Sequence, residues 1–556
     1  MLQFILGRAG SGKTEYIRRM LADQSLAGKG GCVLLVPEQY SFETEKAMLR
    51  LAGPQRANAV QIYSFTRLAE TVFRREGGVA GRRLNDGGRR ILMSSAVAAC
   101  EEHLEVYGSA ARSGRVTDVM LTAVNEMKMC GISPRDLSYT AARLGERGLG
   151  RKLRELSLIY ETYDSLVEAS YLDSRDDLTR LAEALEHSDF FTGCTVGVDS
   201  FEGFTAQELK VLTRILRRAE KVAVSLCTDG LDRDGTGLFA LVDRTRRRLT
   251  QAAEENGVPV LPPVWLTGAP RFQNENLKLL EAQLFCAEET LTSEDCAGIT
   301  VFQARDVFEE AEFVAAAIRR LVMEEGYRYR EISIICRDPE RYYGSLDVAL
   351  QKRDIPCFLS QPIRVEAEPV MRFALGAFEA VQSGFATDSL LSLLKTGLSG
   401  FTAEEISDLE NYAFLWKVNG SAWREDFLRH PQGFGKEYTQ ADRDQLARLN
   451  ALRRRLVEPL ARFAAQTKDA TGQEISEGLY QLLTRYGMEE TLPAFCAGLE
   501  AEGEEALAAR QLRVWELLCQ VLDQMRSILG DRKTPRERYY KLLREVVGAE
   551  DVSEIP

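Results

Sequence analysis

Eight consecutive residues near the N-terminus, Gly7, Arg8, Ala9, Gly10, Ser11, Gly12, Lys13 and Thr14, have types and spacing suited to binding a nucleoside triphosphate. They fit the pattern G-x-x-x-x-G-K-[ST]. The glycines let backbone N–H groups turn inward around phosphate oxygens. Lys13 then neutralises the β and γ phosphates, and the Thr14 hydroxyl can ligate Mg²⁺. A helix beginning near Glu15 adds its positive N-terminal end. The apolar run Leu2–Leu6 before the loop supplies the strand that this motif requires. A glycine-rich strand-to-helix turn with no ligand is the plain alternative. The cofactors expected are ATP and Mg²⁺. A second candidate is Asp199, which ends the apolar run 194–198 where an aspartate can hold Mg²⁺ through water, making Thr14 and Asp199 the metal-site pair.

Other chemistries are poorly supplied. The chain has three histidines, too few to favour zinc catalysis or a Ser-His-Asp triad. Its eleven cysteines include no C-x-x-C pair, which argues against a zinc ribbon or a disulfide framework and fits a reduced, cytoplasmic chain. No apolar run reaches the length of a transmembrane helix, so no membrane partner is expected. The formal net charge of −12 means that any nucleic-acid site must be a local groove. Basic clusters occur at Arg74-Arg75, Arg82-Arg83, Arg89-Arg90, Arg244 to Arg248 and Arg453 to Arg455, and each reads equally well as a solvated helix face.

These residues need elements to position them, and 556 residues imply several core units. Short apolar strands alternate with helices over residues 1–87. Strands are predicted at Leu2–Leu6, Cys32–Val36 and from residue 60, with helices at Lys13–Leu26 and Phe42–Leu51. Residues 88–190 carry helical periodicity throughout, as in Leu92, Ala96, Cys100 and Leu104. Strands return at Cys194–Val198 and Lys221–Leu226. The reading is an α/β fold with a parallel P-loop sheet: residues 1–87 and 191–298 form the first domain, and 88–190 form a helical insertion. A second α/β domain is predicted to start at 299–367, with strands Thr300–Gln303 and Ile332–Cys336 and helices Phe308–Val322 and Tyr342–Lys352. A second helical domain fills 368–556.

A P-loop does not by itself distinguish a kinase, a GTPase and a motor. The segment VQIYSFTRLAETVFRRE at 60–76 resembles a loop of UvrD-like superfamily 1 helicases that touches single-stranded DNA, which implies DNA-binding roles for Ser64, Phe65 and Thr66. A buried Phe65 at a strand end is the ordinary alternative. LIYETYDSLVEASYLDSRDDLTRLA at 158–182 resembles the helicase segment that precedes the Walker B strand. ISIICRDPERYYGSLDVALQKRDIPCFL at 332–359 resembles a stretch of the second motor domain, in which Arg337 takes the place of an arginine that approaches the γ-phosphate. LLVPEQYSFETEKAML at 34–49, VDSFEGFTAQE at 198–208 and LLKTGLSGFTAEEISDLENYAFLWKVNGSAW at 393–423 look like the AddB (RexB) subunits of AddAB helicase–nucleases.

That resemblance implies RecA-like helicase domains with large helical insertions. It also implies a role in resecting DNA double-strand breaks for recombinational repair, and partners in single- and double-stranded DNA and an AddA-like helicase–nuclease subunit. The family is implicated in recognising the Chi sequence. The chain departs from an active motor in two places. Asp199 is followed by Ser200 where a motor carries glutamate, and Glu202 is expected to point elsewhere. SLCTDGLDRDG at 225–235 has no D-x-x-Q. The expectation is therefore an ATP-binding, DNA-engaging subunit with a degenerate motor. The alternatives are an active 3′–5′ helicase motor and an unrelated P-loop kinase or scaffold. The chain is expected to stop at Glu554-Ile555-Pro556 before the family's nuclease domain, so that no iron–sulfur cluster belongs to this portion. Phe414, Trp416, Trp423 and Phe427 are candidates for a partner surface, with plain core as the alternative.

Overall fold

The computed structural model describes residues 1–26, 31–53, 59–78, 81–113, 116–145, 148–230, 237–285, 295–357, 364–434 and 437–548. Part of the 225–235 segment, the end of the 332–359 segment and the terminal Glu554–Pro556 lie outside these. The chain divides into two units: 1–83 with 122–154 and 170–357, and 84–121 with 155–169 and 358–556.

The first unit is built on a six-stranded sheet. In chain order the strands are β1 (Leu2–Gly7), β2 (Cys32–Leu35), β3 (Val60–Tyr63), β4 (Arg82–Leu84), β5 (Tyr171–Asp173), β6 (Thr195–Val198), β7 (Lys221–Cys227) and β8 (Val264–Trp265). Six of them form one sheet in the order β3-β2-β6-β7-β1-β8, while β4 and β5 pair separately. Every pairing in the large sheet is parallel, with Leu2 opposite Val222 and Cys32 opposite Thr195. Its strands read as nearly continuous apolar runs because helices cover both faces. Helix Lys13–Leu26 packs Ile17 and Leu21 on one face with Ile5 and Leu34. Helices Phe65–Glu76, Asp177–His187, Ala206–Arg218 and Ala240–Glu255 close the other around Leu6, Val198 and Val224. Gly197 in β6 lets the P-loop helix approach, since a Cβ there would lie 2.6 Å from Ile17 Cγ2.

The expected strands of the first domain are all present. Those of a second α/β domain are not. Residues 300–303 and 332–336 form no strand among the described residues, and Val301 and Ile335 are 92% and 94% exposed. Ile332 has an extended backbone, φ −112° and ψ 132°. β-Branched residues favour extended backbone, as at Ile332, but a strand also needs a neighbour to complete its hydrogen-bond ladder. The helix predicted over 308–322 forms as Val307–Met323, while the one over 342–352 shortens to Leu346–Gln351.

The helical insertion predicted at 88–190 does not behave as one body. Within it, 122–154 and 170–190 group with the sheet, whereas helix Asp86–Cys100 packs on the C-terminal helices Glu505–Leu529 and Arg536–Val547. The second unit is helical, with a core that includes Phe373, Phe378, Phe463, Tyr539 and Trp423. Trp423 and Phe427 are buried there, Trp416 is half-buried and Phe414 is exposed, so two of the four partner-surface candidates are core residues. Among the described residues no helix is long and apolar enough to cross a membrane.

Candidate nucleotide-binding site

The site begins where β1 ends. Strand β1 is buried along almost its whole length, so Gly7 leaves the sheet at its C-terminal edge, the edge at which open α/β sheets bind ligands. The chain then turns through Gly10 and Gly12, whose φ angles of 74° and 92° are left-handed. Side chains rarely adopt that region, so the P-loop needs glycine at both places. Helix Lys13–Leu26 starts immediately, and the Tyr16 N–H donates to the Gly12 carbonyl at 2.9 Å.

Lys13 bends back over the loop. Its Nζ donates to the carbonyls of Gly7 and Arg8, both at 2.8 Å. Burial lowers its pKa from the ordinary lysine value, with Cys227 and Asp199 opposing that shift. The buried Ser11 Oγ has no hydrogen-bond partner among the described residues. An orphaned hydroxyl and an ammonium parked on loop carbonyls are groups that a bound anion can satisfy. Arg8 faces away from this lysine. Its guanidinium pairs with Asp229 at 2.8 Å and Glu281 at 3.2 Å and lies 5.5 Å from the Phe239 ring. Arg8 thus anchors the loop to the segments behind it.

The order β6-β7-β1 brings the Walker-type aspartate to the same edge. Asp199 follows β6 directly and is buried; its backbone N–H donates to the Leu35 carbonyl at 3.0 Å. Its carboxylate accepts a short hydrogen bond from Ser225 on β7 and a longer one, 3.4 Å, from Ser200. Ser225 and Cys227, two residues apart on β7, share one face of the strand, and both line the cleft. Ser200 itself has φ 67°, so the chain turns sharply just after the aspartate. The cleft holds about 660 Å³ and is lined by residues 9–15, with Tyr40, Asp199 and Ser225 among the others.

Arg271 and Ser225 line this cleft although the sequence does not single them out. Arg271 lies in the loop after β8, and its backbone N–H donates to the Gly10 carbonyl at 3.4 Å. The neighbouring Phe272 packs so closely that a Cβ on Gly10 would lie 2.8 Å from Cε2. This clamp puts Arg271 on the cleft wall. A Pro-Arg-Phe triplet after a short apolar strand is the sequence signal, but only the β1–β8 pairing brings it to the P-loop. Glu202 is among the residues that line the cleft, and it lines the larger cavity behind the loop as well.

The remaining candidates are placed differently. Arg337 is exposed and is not on the cleft wall, because the segment that carries it is anchored to no sheet. Ser64 is a helix N-cap that accepts from the Arg67 N–H at 3.2 Å, and it is buried. Phe65 is buried edge-on against Phe201, with ring centroids 5.6 Å apart. Of the three DNA-binding candidates only Thr66 is at the surface. A larger cavity of about 740 Å³ lies on the Arg8 side of the loop, with Phe204, Phe239 and Leu241 on an apolar wall and Arg244 and Arg248 also lining it.

Comparison with known proteins gives the family. Residues 4–281 match the family described as "ADDB, N-terminal". The chain is 32% identical over its whole length to a protein of Thermoanaerobacter sp. (strain X514) named as the B subunit of an ATP-dependent helicase/deoxyribonuclease, of which it covers 49%. Proteins of the same name from Caldanaerobacter subterraneus and Acetivibrio thermocellus are 31% and 28% identical over 98% and 100% of the chain, which covers 48% and 49% of them. The chain spans about half the length of the curated relatives it matches. With the match over residues 4–281 and the P-loop sheet it contains, the chain belongs to the AddB family.

Proposed function

We propose that this chain is the ATP-binding, DNA-engaging part of a helicase–nuclease subunit that resects double-strand breaks for recombinational repair in the bacterial cytoplasm. The observation that carries the nucleotide half of this reading is the P-loop cleft, where Lys13, Ser11, Thr14 and Arg271 line one cavity together with Asp199. The residues fit Mg²⁺–ATP. The loop N–H groups and Lys13 would hold phosphate oxygens, and Thr14 and Asp199 would hold the metal's shell. When bound, Mg²⁺–ATP supplies a cleavable phosphoanhydride. Lys13 leaves the loop carbonyls to neutralise charge, and the Ser11 hydroxyl gains a partner. Ser225 fixes the Asp199 carboxylate in place. Thr66 and nearby arginines would meet single-stranded DNA. The relatives' name, a subunit of an ATP-dependent helicase/deoxyribonuclease, supports a heterodimer with an AddA-like motor, and a role in scanning DNA for Chi belongs to the same reading.

The motor is proposed to be degenerate. Ser200 stands where an active motor carries the glutamate that orients water. Calorimetry with Mg²⁺–ATP is expected to show binding that Lys13→Ala weakens at least tenfold, about 1.4 kcal/mol. Turnover with single-stranded DNA is expected to stay well below about 1 s⁻¹, the lower end for working phosphoryl-transfer enzymes. Faster turnover that Glu202→Gln abolishes would instead make Glu202 the water-orienting group and the chain an active motor. Equal nucleotide affinity of the wild type and Lys13→Ala would remove the P-loop from the account.

A further inference from the structure

Within the helical unit, the helix Gln440–Gln466 carries one stripe that its fold leaves open. Arg454, Glu458, Ala461, Ala465 and Lys468 recur at intervals of three and four residues, along the helix and its immediate continuation. Such positions share a face. They line a groove of about 490 Å³ whose far wall includes Arg424 and Arg536. Alanines form the floor, so the middle of the stripe is shallow and cations stand at both ends. Five cations, counting Arg453, face a single lining carboxylate, Glu458, in a chain of net charge −12.

Some of these cations are already engaged. Buried Arg453 pairs with Asp426 at 2.5 Å and donates to the Trp423 carbonyl, so it braces the wall. Arg536 donates to the Ala464 carbonyl and Thr467 Oγ1, and its buried Nε has no partner among the described residues. Arg424 lies over the Phe385 ring and Lys468 is exposed; neither has a carboxylate partner among the described residues. Arg454 reaches Asp426 only at 3.4 Å, a solvent-exposed pair. Exposed pairs of this kind are weak and easily exchanged. Arg536 also opens the helix Arg536–Val547, whose N-cap is Pro535 with no side-chain cap, so the positive end of that helix lies at the groove.

We infer that this groove binds the phosphodiester backbone of DNA. Twelve helical rises separate Arg454 from the helix end at Gln466, about 18 Å, and Lys468 stands just beyond it, so the stripe would span roughly five phosphates at about 3.4 Å per nucleotide. The small, uncharged floor contacts no base edge and predicts binding without sequence preference. The inference rests on the DNA-engaging reading above and adds a site to it.

The test compares the full chain with Arg454→Glu/Lys468→Glu and with Arg454→Ala/Lys468→Ala. A second charge reversal at exposed positions away from the groove, Arg485→Glu/Arg513→Glu, makes the same change in net charge. The probe is a labelled 20-base-pair duplex of arbitrary sequence, titrated at several salt concentrations. The groove reversal is expected to weaken binding at least tenfold at low salt. The alanine pair is expected to lower the slope of log affinity against log salt by about 2, one per lost phosphate contact. Nucleotide affinity is expected to stay unchanged. Equal losses in the groove and control reversals, or no loss in either groove variant, would overturn the groove while leaving DNA binding in place. A wild-type chain that binds no duplex at any salt would overturn the groove alone, and one that also fails to bind a single strand of the same length would overturn both.

Discussion

At the scale of single residues, the P-loop lysine carries a signature that can be measured. Burial lowers the Lys13 pKa below its ordinary 10.5. In the window between the lowered value and 10.5 the unfolded chain holds more protons than the folded one, so Lys13 makes stability rise with pH there. Nucleotide binding depends on the same proton in the opposite sense, because the charged form holds phosphate. Affinity for Mg²⁺–ATP should therefore begin to fall at a pH below 10.5, and Lys13→Arg, charged throughout, should abolish that slope. Calorimetry across alkaline pH would refute this by giving parallel curves for the two proteins. Arg271 makes a second residue-scale prediction. It is exposed at the cleft wall, so a charge-assisted contact there should contribute about 1 kcal/mol, or roughly fivefold in affinity. Arg271→Ala should weaken nucleotide binding by that amount and Arg337→Ala should not; the reverse result would return the phosphate-sensing role to Arg337.

Elements set what these residues can reach. The crossing from β1 into helix Lys13–Leu26 is held by close packing, with Gly197 under Ile17 on one side and Phe272 over Gly10 on the other. The start of helix Phe65–Glu76 shows the same logic acting against a functional reading. Ser64 is used as its cap and Phe65 as a core ring against Phe201 and Phe204. Truncating a buried aromatic leaves a cavity and commonly costs about 3–5 kcal/mol. Phe65→Ala is expected to destabilise the protein by about 3 kcal/mol in chemical denaturation, with DNA affinity unchanged at temperatures where the variant is folded. Loss of DNA binding at undiminished stability would restore Phe65 as a contact residue.

The whole molecule consists of two units, each with its own core. The nucleotide cleft lies wholly in the unit built on the sheet. A ligand stabilises only what it binds, by about 2.7 kcal/mol at a hundredfold excess over its dissociation constant. Calorimetric melting should therefore resolve two transitions, and saturating Mg²⁺–ATP should raise one and leave the other in place. A single transition that shifts as a whole would show that the units melt as one.

The line between what sequence determines and what needs the fold follows from range. Gly10, Gly12, Lys13 and Thr14 were legible because a P-loop is contiguous: its backbone turns, helix start and cation lie within eight residues. Strands β1, β2, β3, β6 and β7 were legible because burial on both faces makes each an unbroken apolar run. Asp199 was legible as the end of such a run. Arg271 and Ser225 were not, since their role exists only once β8 and β7 pair on either side of β1. The same holds for Glu202, which lines the cleft two residues after the left-handed turn at Ser200. Apolar segments such as 332–336 show the converse case. Their β-branched residues set the local conformation, but a strand is a relation between two segments, and no partner lies among the described residues. Phe65 and Trp423 divide core from surface in the same way: an aromatic side chain carries one apolar pattern in both places, and only packing decides which it serves.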